Sequence, residues 1–183
     1  MRALSLILLV GCVRDEDAAL CPQISTNDLA VTEVRKGDNP NGSWIEVFNT
    51  TDRSLDLKAL TLRFASRSDP NDQTEVLVRS SVPIDAKGYA VFGLFDEAML
   101  PAHIDYGFLD DFHETFPTAS GFDLKSCGKL IDRVAWDALP TTGTFSLGVM
   151  PPTAAGNDLP ANWCTDASMM GAGTPGAANT PCP

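Results

Sequence analysis

The chain has 183 residues, and its 13 Lys and Arg stand against 24 Asp and Glu for a formal net charge of −11. Lys and Arg form no run anywhere in it, so phosphate-backbone binding, which needs clustered cations, is disfavoured and no nucleic-acid partner is expected. The length suits one domain with a real hydrophobic core rather than a scaffold held by disulfides alone.

In chain order, the first feature is Arg2 followed by an apolar run from Ala3 to Val10 and the tetrapeptide Leu9-Val10-Gly11-Cys12. This resembles a bacterial lipoprotein signal, in which the apolar stretch enters the membrane, a small residue such as Gly11 admits the signal peptidase, and the Cys12 thiol takes the lipid. The run is too short to cross ~30 Å of hydrocarbon at 1.5 Å per residue, so cleavage before Cys12 is expected rather than a permanent span. A translation start upstream of Met1 is expected to account for a pre-cysteine segment shorter than the usual ~15 to 30 residues. The resemblance implies a cell-envelope protein anchored through Cys12, and Val13 in place of an Asp after the cysteine points to the outer membrane. Residues 1–11 are thus read as signal peptide, 12–28 as a polar tether, and 29–183 as the folded domain with a Gly/Pro-rich tail.

Leu29 to Val34 is the first expected strand, and the turn-rich stretch from Lys36 to Gly42 separates it from Ser43 to Asn49. In that second strand Ile45 and Val47 share one face and Trp44, Glu46 and Phe48 the other, and both faces carry apolar residues, so the pattern leaves the core face open. Leu55 to Phe64, Thr74 to Arg79, Gly88 to Leu94, Lys129 to Trp136 and Thr144 to Gly148 follow as strands, each bounded by turn residues. Asp96 to Leu100 suits one helical turn. Residues 95–121 carry the weakest pattern, and the Gly/Pro density beyond Met150 predicts little regular structure there. Short strands between turns, with no sustained helical period, predict an all-β sandwich.

Besides Cys12 the chain has Cys21, Cys127, Cys164 and Cys182, an even set that fits an oxidising compartment. No Cys-x-x-Cys pair occurs, and His103 and His113 lie far from every cysteine, so no zinc site is expected. Cys164 and Cys182 flank a Gly/Pro-rich tail that cannot fold by burial, which pairs them first and leaves Cys21 for Cys127. In the chain-entropy model these loops would contribute ~3 and ~4.7 kcal/mol.

Glu33-Val34, then Trp44-Ile45-Glu46-Val47-Phe48-Asn49 and Leu55-Asp56-Leu57 resemble a bacterial lamin tail domain. Val82-Pro83-Ile84 and Gly88-Tyr89-Ala90-Val91-Phe92 match that family's middle strand, and residues 130–136, Ser146-Leu147-Gly148 and the closing Gly173-Thr174-Pro175-Gly176-Ala177-Ala178-Asn179 match its end. The resemblance implies an immunoglobulin-like β-sandwich and an accessory module without catalytic residues. The chain departs from the family at Ser126-Cys127-Gly128, where a longer polar hairpin is expected; a cysteine in that turn suggests a staple.

Three groups of side chains are weighed as sites. His103, Asp105, Asp110, Asp111, His113 and Glu114 crowd one segment, yet they lack the spacing that puts two ligands on one helical face, so no metal is expected. Asp69 to Glu75 resembles the opening of a calcium loop but lacks its Gly at the sixth position and its Glu at the twelfth, and is read as a turn. Glu33 and Glu46 approach across neighbouring strands in the arrangement that raises a carboxylate pKa. Opposed like charges are unfavourable, so each is expected to face solvent or a cation such as Arg35 or Lys36.

With no nucleophile elbow, triad context or phosphate-cradling loop, the chain is expected to be non-enzymatic and to need no cofactor. It reads as a binding module at the cell surface, held to the membrane by its lipid, whose ligand is an envelope or extracellular protein or glycan. The alternatives are a purely structural envelope lipoprotein and, less favoured, a metal-dependent hydrolase built on the segment from His103 to Glu114.

Overall fold

A computed structural model describes residues 21–37, 42–67, 69, 71–112, 116, 120–167 and 173–183. Residues 1–11, read above as a signal peptide, and Cys12, His113 and Glu114 therefore lie outside the described residues. In chain order the strands are β1 (Leu29–Arg35), β2 (Trp44–Asn49), β3 (Leu55–Asp56), β4 (Leu60–Ser66), β5 (Gln73–Leu77) and β6 (Pro83–Ile84), then β7 (Tyr89–Gly93), β8 (Tyr106–Gly107), β9 (Ser120–Ser126), β10 (Lys129–Trp136), β11 (Thr144–Leu147) and β12 (Trp163–Asp166). One short α-helix, α1 (Ala154–Asn157), precedes β12. The fold is all-β.

A six-stranded sheet has the order β12-β11-β1-β2-β7-β8 and a four-stranded sheet the order β10-β9-β4-β5, with β3 and β6 paired separately. All pairings are antiparallel except β7 with β8. The two main sheets share one core. Val31, Val34, Ile45, Val47, Phe92 and Leu147 of the first meet Leu62, Phe64, Val76, Phe122, Leu124 and Trp136 of the second.

The inner face of β2 is thereby settled as Ile45 and Val47, but its other face is buried as well. Trp44 packs with Val91 and Ile104 in a second apolar cluster, and Phe48 lies 5.0 Å from Tyr89. Alternation could not choose a face because neither face meets water.

Four segments differ from the sequence expectations. The single strand expected over Leu55 to Phe64 divides into β3 and β4 at Ala59, whose φ of 69° turns the chain. Residues 21–28, expected within the tether, are fastened to the fold: Cys21 is bonded to Cys127, Ile24 is buried, and Asn27 N–H donates to the Ile131 carbonyl at 3.0 Å. Residues 95–121 contribute β8 and the start of β9, and Phe108, Phe112 and Phe116 cluster around Phe64 with centroids 5.8, 4.8 and 5.2 Å away. The tail supplies β12, paired with β11 from Leu147↔Trp163 to Thr144↔Asp166.

Both disulfides join the pairs inferred from the sequence, Cys21–Cys127 with Cα atoms 5.7 Å apart and Cys164–Cys182 at 5.8 Å. Instead of a long hairpin, Cys127 and Gly128 alone join β9 to β10, at φ 48° and 77°. Two consecutive left-handed residues match the twist of a tight hairpin, and Gly128 adopts that conformation without a steric penalty.

Candidate functional site

Strict alternation along β1 would send Glu33 into the core behind Leu29 and Val31. A β-bulge prevents it: the register runs Val31↔Val47 and then Glu33↔Glu46, so Thr32 and Glu33 together oppose Glu46 on the outer face. Val34 consequently returns to the core. Glu33 and Glu46 are each 0% exposed, which corrects the expectation that they face solvent.

What covers them is the C-terminal segment 173–179. Thr174 donates its backbone N–H to Glu33 Oε2 at 3.2 Å and its hydroxyl to Oε1 at 3.1 Å, while Gly176 N–H donates to Glu46 Oε2 at 2.7 Å. From the sheet, the Ser146 hydroxyl reaches Glu33 Oε1 at 2.6 Å and the Thr32 hydroxyl reaches Glu46 Oε1 at 2.7 Å. Thr174 and Ala177 close a turn, Ala177 N–H to Thr174 O at 3.0 Å, with Pro175 and Gly176 between them and Gly176 at φ 79°. Gly173 has no room for a side chain, since a Cβ would lie 2.7 Å from Thr144 Oγ1 and 3.0 Å from Glu33 Oε1. Asn179 is the clasp: its amide donates to the Thr32 and Leu147 carbonyls at 2.9 and 3.0 Å, and Cys182 is bonded to Cys164 on β12.

Burial pushes the Glu33 carboxyl up to about 7 against the hydrogen bonds it accepts, and pushes Glu46 well above the usual range, with the Glu33 charge adding to the effect. The neighbouring cation, Arg35, is spent on the Gly143 carbonyl through Nη1 at 3.1 Å as well as lying in the field of Glu33. Among the described residues, the groups that hydrogen-bond to these carboxylates all act as donors. These donors fill the acceptor positions of both carboxyls and favour the ionised form, so it is burial, with the charges of neighbouring carboxylates adding, that drives the pKa values up, and the strap denies the pair a substrate.

The described part of the acidic segment, His103 to Asp111, does not converge either. Asp105 Oδ2 accepts Val91 N–H at 2.8 Å, Asp111 pairs with Arg79, and His103 meets Phe95 edge-on at 6.2 Å. Among the described residues no group of three or more His, Cys, Asp or Glu is placed to hold a metal. Of the stretch Asp69 to Glu75, Asp69 turns the chain, its Oδ1 accepting Asn71 N–H at 2.9 Å, while residues 73–75 already belong to β5 rather than to a turn.

An open site lies elsewhere. β10 is the last strand of its sheet and β12 of the other. A cleft of about 500 Å³ runs between these margins, with residues 133–138 along one wall and Phe145, Asn157, Asp158 and Trp163 on the other. Phe145 and Trp163 stack at 4.6 Å and 11°, and Trp163 Nε1 donates to the Asn157 carbonyl at 2.8 Å. The helix α1 that carries Asn157 is capped by Thr153, whose hydroxyl oxygen accepts Gly156 N–H at 2.9 Å.

No family model matches this chain, and no curated protein does.

At the floor of the cleft, Asn157 Nδ2 donates to the Val31 carbonyl at 3.0 Å and to Asp132 Oδ2 at 2.7 Å. Asp132 also accepts Val31 N–H at 2.7 Å, and burial pushes it up to about 6, with the charge of Asp158 contributing. Asn157 Oδ1 is buried and meets no donor among the described residues. The two arginines of the cleft are both engaged, Arg67 with Asp137 and Arg133 with Asp123 through Nε and Nη2 at 2.6 and 2.9 Å. Asp123 is buried, which raises its pKa, but the hydrogen bonds from Arg133 and Arg63 outweigh this and hold it below the usual range.

Sequence reasoning paired Glu33 with Glu46 but missed their lid and the cleft. The closing Gly-Thr-Pro-Gly turn was visible as a motif, whereas nothing local marks Asn157, Phe145 and Trp163 as neighbours. Their meeting is a product of sheet order.

Proposed function

We propose that this chain is a lipid-anchored envelope protein whose lamin-tail-like domain, an immunoglobulin-like β-sandwich, is a non-catalytic binding module at the cell surface, held in the outer membrane through a lipid on Cys12. The observation that carries the reading is the contrast between its two polar centres. The carboxylates that resemble an acid-base pair are sealed under the strap, while the cleft between β10 and β12 stands open with aromatic and polar residues along its walls. An open concavity with a few convergent polar groups is what a binding site requires.

Two further features support it. The motif residues behind the family resemblance have definite tasks: Thr174 and Gly176 cap the carboxylates, and Asn179 fastens the tail to β1 and β11. Two disulfides suit an oxidising compartment. The partners of the reading are the membrane, through the lipid, and an envelope or extracellular protein or glycan. Mass spectrometry of the mature protein should find residues 1–11 removed and Cys12 acylated, and Cys12→Ala should release the protein from membrane fractions. An unmodified Cys12 behind an intact segment 1–11 would end the anchoring part. Photocrosslinking on intact cells from Pro160 should label an envelope component; a protein that labels nothing there, with any phenotype insensitive to changes in the cleft, would favour the purely structural alternative.

A further inference from the structure

We infer that the end of the sandwich at the turn between β9 and β10 is the surface turned to the membrane, where its lysines meet the anionic headgroups of a phospholipid bilayer, and that the cleft opens away from it. The inference rests on the lipid-anchored reading and adds the surface through which the domain meets that membrane.

The anchor would enter the fold at a fixed point. Nine peptide bonds separate Cys12 from Cys21, and they span at most about 30 Å however the chain runs, against a width of about 40 Å for a compact domain of this length. At Cys21 the chain is stapled to Cys127, in the turn that joins β9 to β10. The residues that follow hold it there: the Pro22 carbonyl accepts the Ser126 hydroxyl at 3.3 Å, and Asn27 N–H donates to the Ile131 carbonyl at 3.0 Å. A tether shorter than the domain is wide keeps the end it enters near the bilayer.

The same end gathers the lysines. The chain has five, Lys36, Lys58, Lys87, Lys125 and Lys129. Leu60 of β4, Ser126 of β9 and Lys129 of β10 stand side by side in register, so Lys58, Lys125 and Lys129 share the end of the sheet that carries Cys127. Lys87 joins them from the neighbouring sheet, since its ammonium reaches the Thr50 carbonyl and the Thr50 hydroxyl donates to the Asn27 carbonyl at 2.7 Å. Lys36 alone lies at the opposite end, just past the last residue of β1.

Charge then decides which end tolerates an anionic surface. Asp28, Asp52 and Glu75 are paired with Arg53, Lys87 and Lys125, Asp56 lies in the field of Lys58, and Lys129 is exposed with no ion-pair partner among the described residues. The carboxylates named here are offset by their cations, whereas the chain as a whole carries −11, so the repulsion from anionic headgroups falls on the rest of the surface. Leu130, 38% exposed beside Lys129, adds an apolar contact. From Lys129 to Trp136 strand β10 rises roughly 23 Å, which places the cleft at the far end from the bilayer and open to a partner outside it.

The test uses the full chain acylated at Cys12 and reconstituted in vesicles of phosphatidylethanolamine and phosphatidylglycerol, with Cys12→Ser beside the same vesicles as the unanchored reference. Lysines are modified with a dilute amine-reactive reagent and read by mass spectrometry. Anchoring should slow the labelling of Lys58 and Lys129 at least threefold and leave Lys36 unchanged, and exchanging phosphatidylglycerol for phosphatidylcholine should restore most of the Lys129 rate. Equal rates for all three lysines in the two forms, or protection of Lys36 in place of Lys129, would overturn the orientation. Protection of Lys129 that persists on phosphatidylcholine would overturn the contact with anionic headgroups. A native protein with no acyl chain on Cys12 sinks the anchoring reading and the orientation with it, whereas acylation with uniform labelling sinks the orientation alone.

Discussion

Glu33 and Glu46 are register partners across β1 and β2, and both side chains are fully buried beneath the C-terminal strap. Two ionised carboxylates in that position would repel each other in a medium poor in water, so the folded state favours a bound proton. Unfolded, each has an ordinary glutamate pKa. The folded protein therefore holds more protons than the unfolded chain above about pH 4.5, and the stabilisation is complete below that value and lost as the pH climbs through about 7, where Glu33 ionises. Asp132, raised to about 6, adds a loss in the same direction, while Asp123, held low by Arg133 and Arg63, loses its contribution only on acidification. The charged groups in the field of the pair are Arg35, Asp105 and Asp166. The expected outcome is a denaturation midpoint that falls from pH 5 to pH 8. A midpoint that rises across this interval would contradict the picture.

Glu46→Gln isolates the cause. The amide keeps an acceptor for Gly176 N–H and turns its NH₂ toward the Thr32 hydroxyl, which can accept as readily as donate. The variant should match the parent at pH 5 and exceed it by about 1 kcal/mol at pH 8, from the relief of one buried like-charge contact. Urea titrations at the two pH values check this, and a loss of stability equal at both would show that the pair acts through geometry and not through charge.

Asn179→Ala should be costly for its size. It strands the Thr32 and Leu147 carbonyls, both bound by the Asn179 amide, and an unsatisfied buried polar group costs about 1–3 kcal/mol. Gly173→Ala should act in the same direction, since its Cβ would press on Thr144 and Glu33 and its φ is 73°. Hydrogen exchange should quicken at Thr174 and Gly176 in both variants, because the strap is released before the sheets are.

How much of this was legible follows a physical line. Strands rich in β-branched and aromatic residues with a turn on either side, such as those from Leu29, Trp44 and Lys129, were readable because the signal is local. The cysteine pairs were readable because a tail unable to bury itself needs a tether. The bulge at Thr32 was not, since one inserted residue reverses the faces without altering composition, and with it went the fate of Glu33. Strand β9 was hidden because its outward residues Gly121, Asp123 and Lys125 make a weak β pattern, although Phe122 and Leu124 are wholly buried. The cleft was invisible because its walls come from β10, β11, β12 and the region of α1, which only the sheet order brings together.

Opening Cys164–Cys182 should loosen the strap without unfolding the sheets. The bond closes a separation of 18 residues, for which the chain-entropy model gives about 3 kcal/mol. The paired replacement Cys164→Ser with Cys182→Ser should lower stability by about that amount and should speed exchange at 173–179 while the amides of β4 and β9 stay protected. Equal loss of protection in every strand would mean that the tail is part of the cooperative core.

Phe64→Ala tests whether the weakly patterned segment 95–121 is held by aromatic packing. Phe64 is 3% exposed and lies within 5.8 Å, centroid to centroid, of Phe108, Phe112, Phe116 and Phe122. Three of those rings belong to the segment that carried no clear strand or helix period, so the cluster is what fixes its path over the end of β4. Deleting the ring leaves a cavity that four rigid neighbours cannot fill together, and the cost should be about 3–5 kcal/mol. Met99→Ala, in the same segment but 74% exposed, should change stability by no more than about 0.5 kcal/mol. Chemical denaturation of the two variants side by side decides the matter, and a Phe64→Ala loss as small as that of Met99→Ala would mean that other contacts hold the segment.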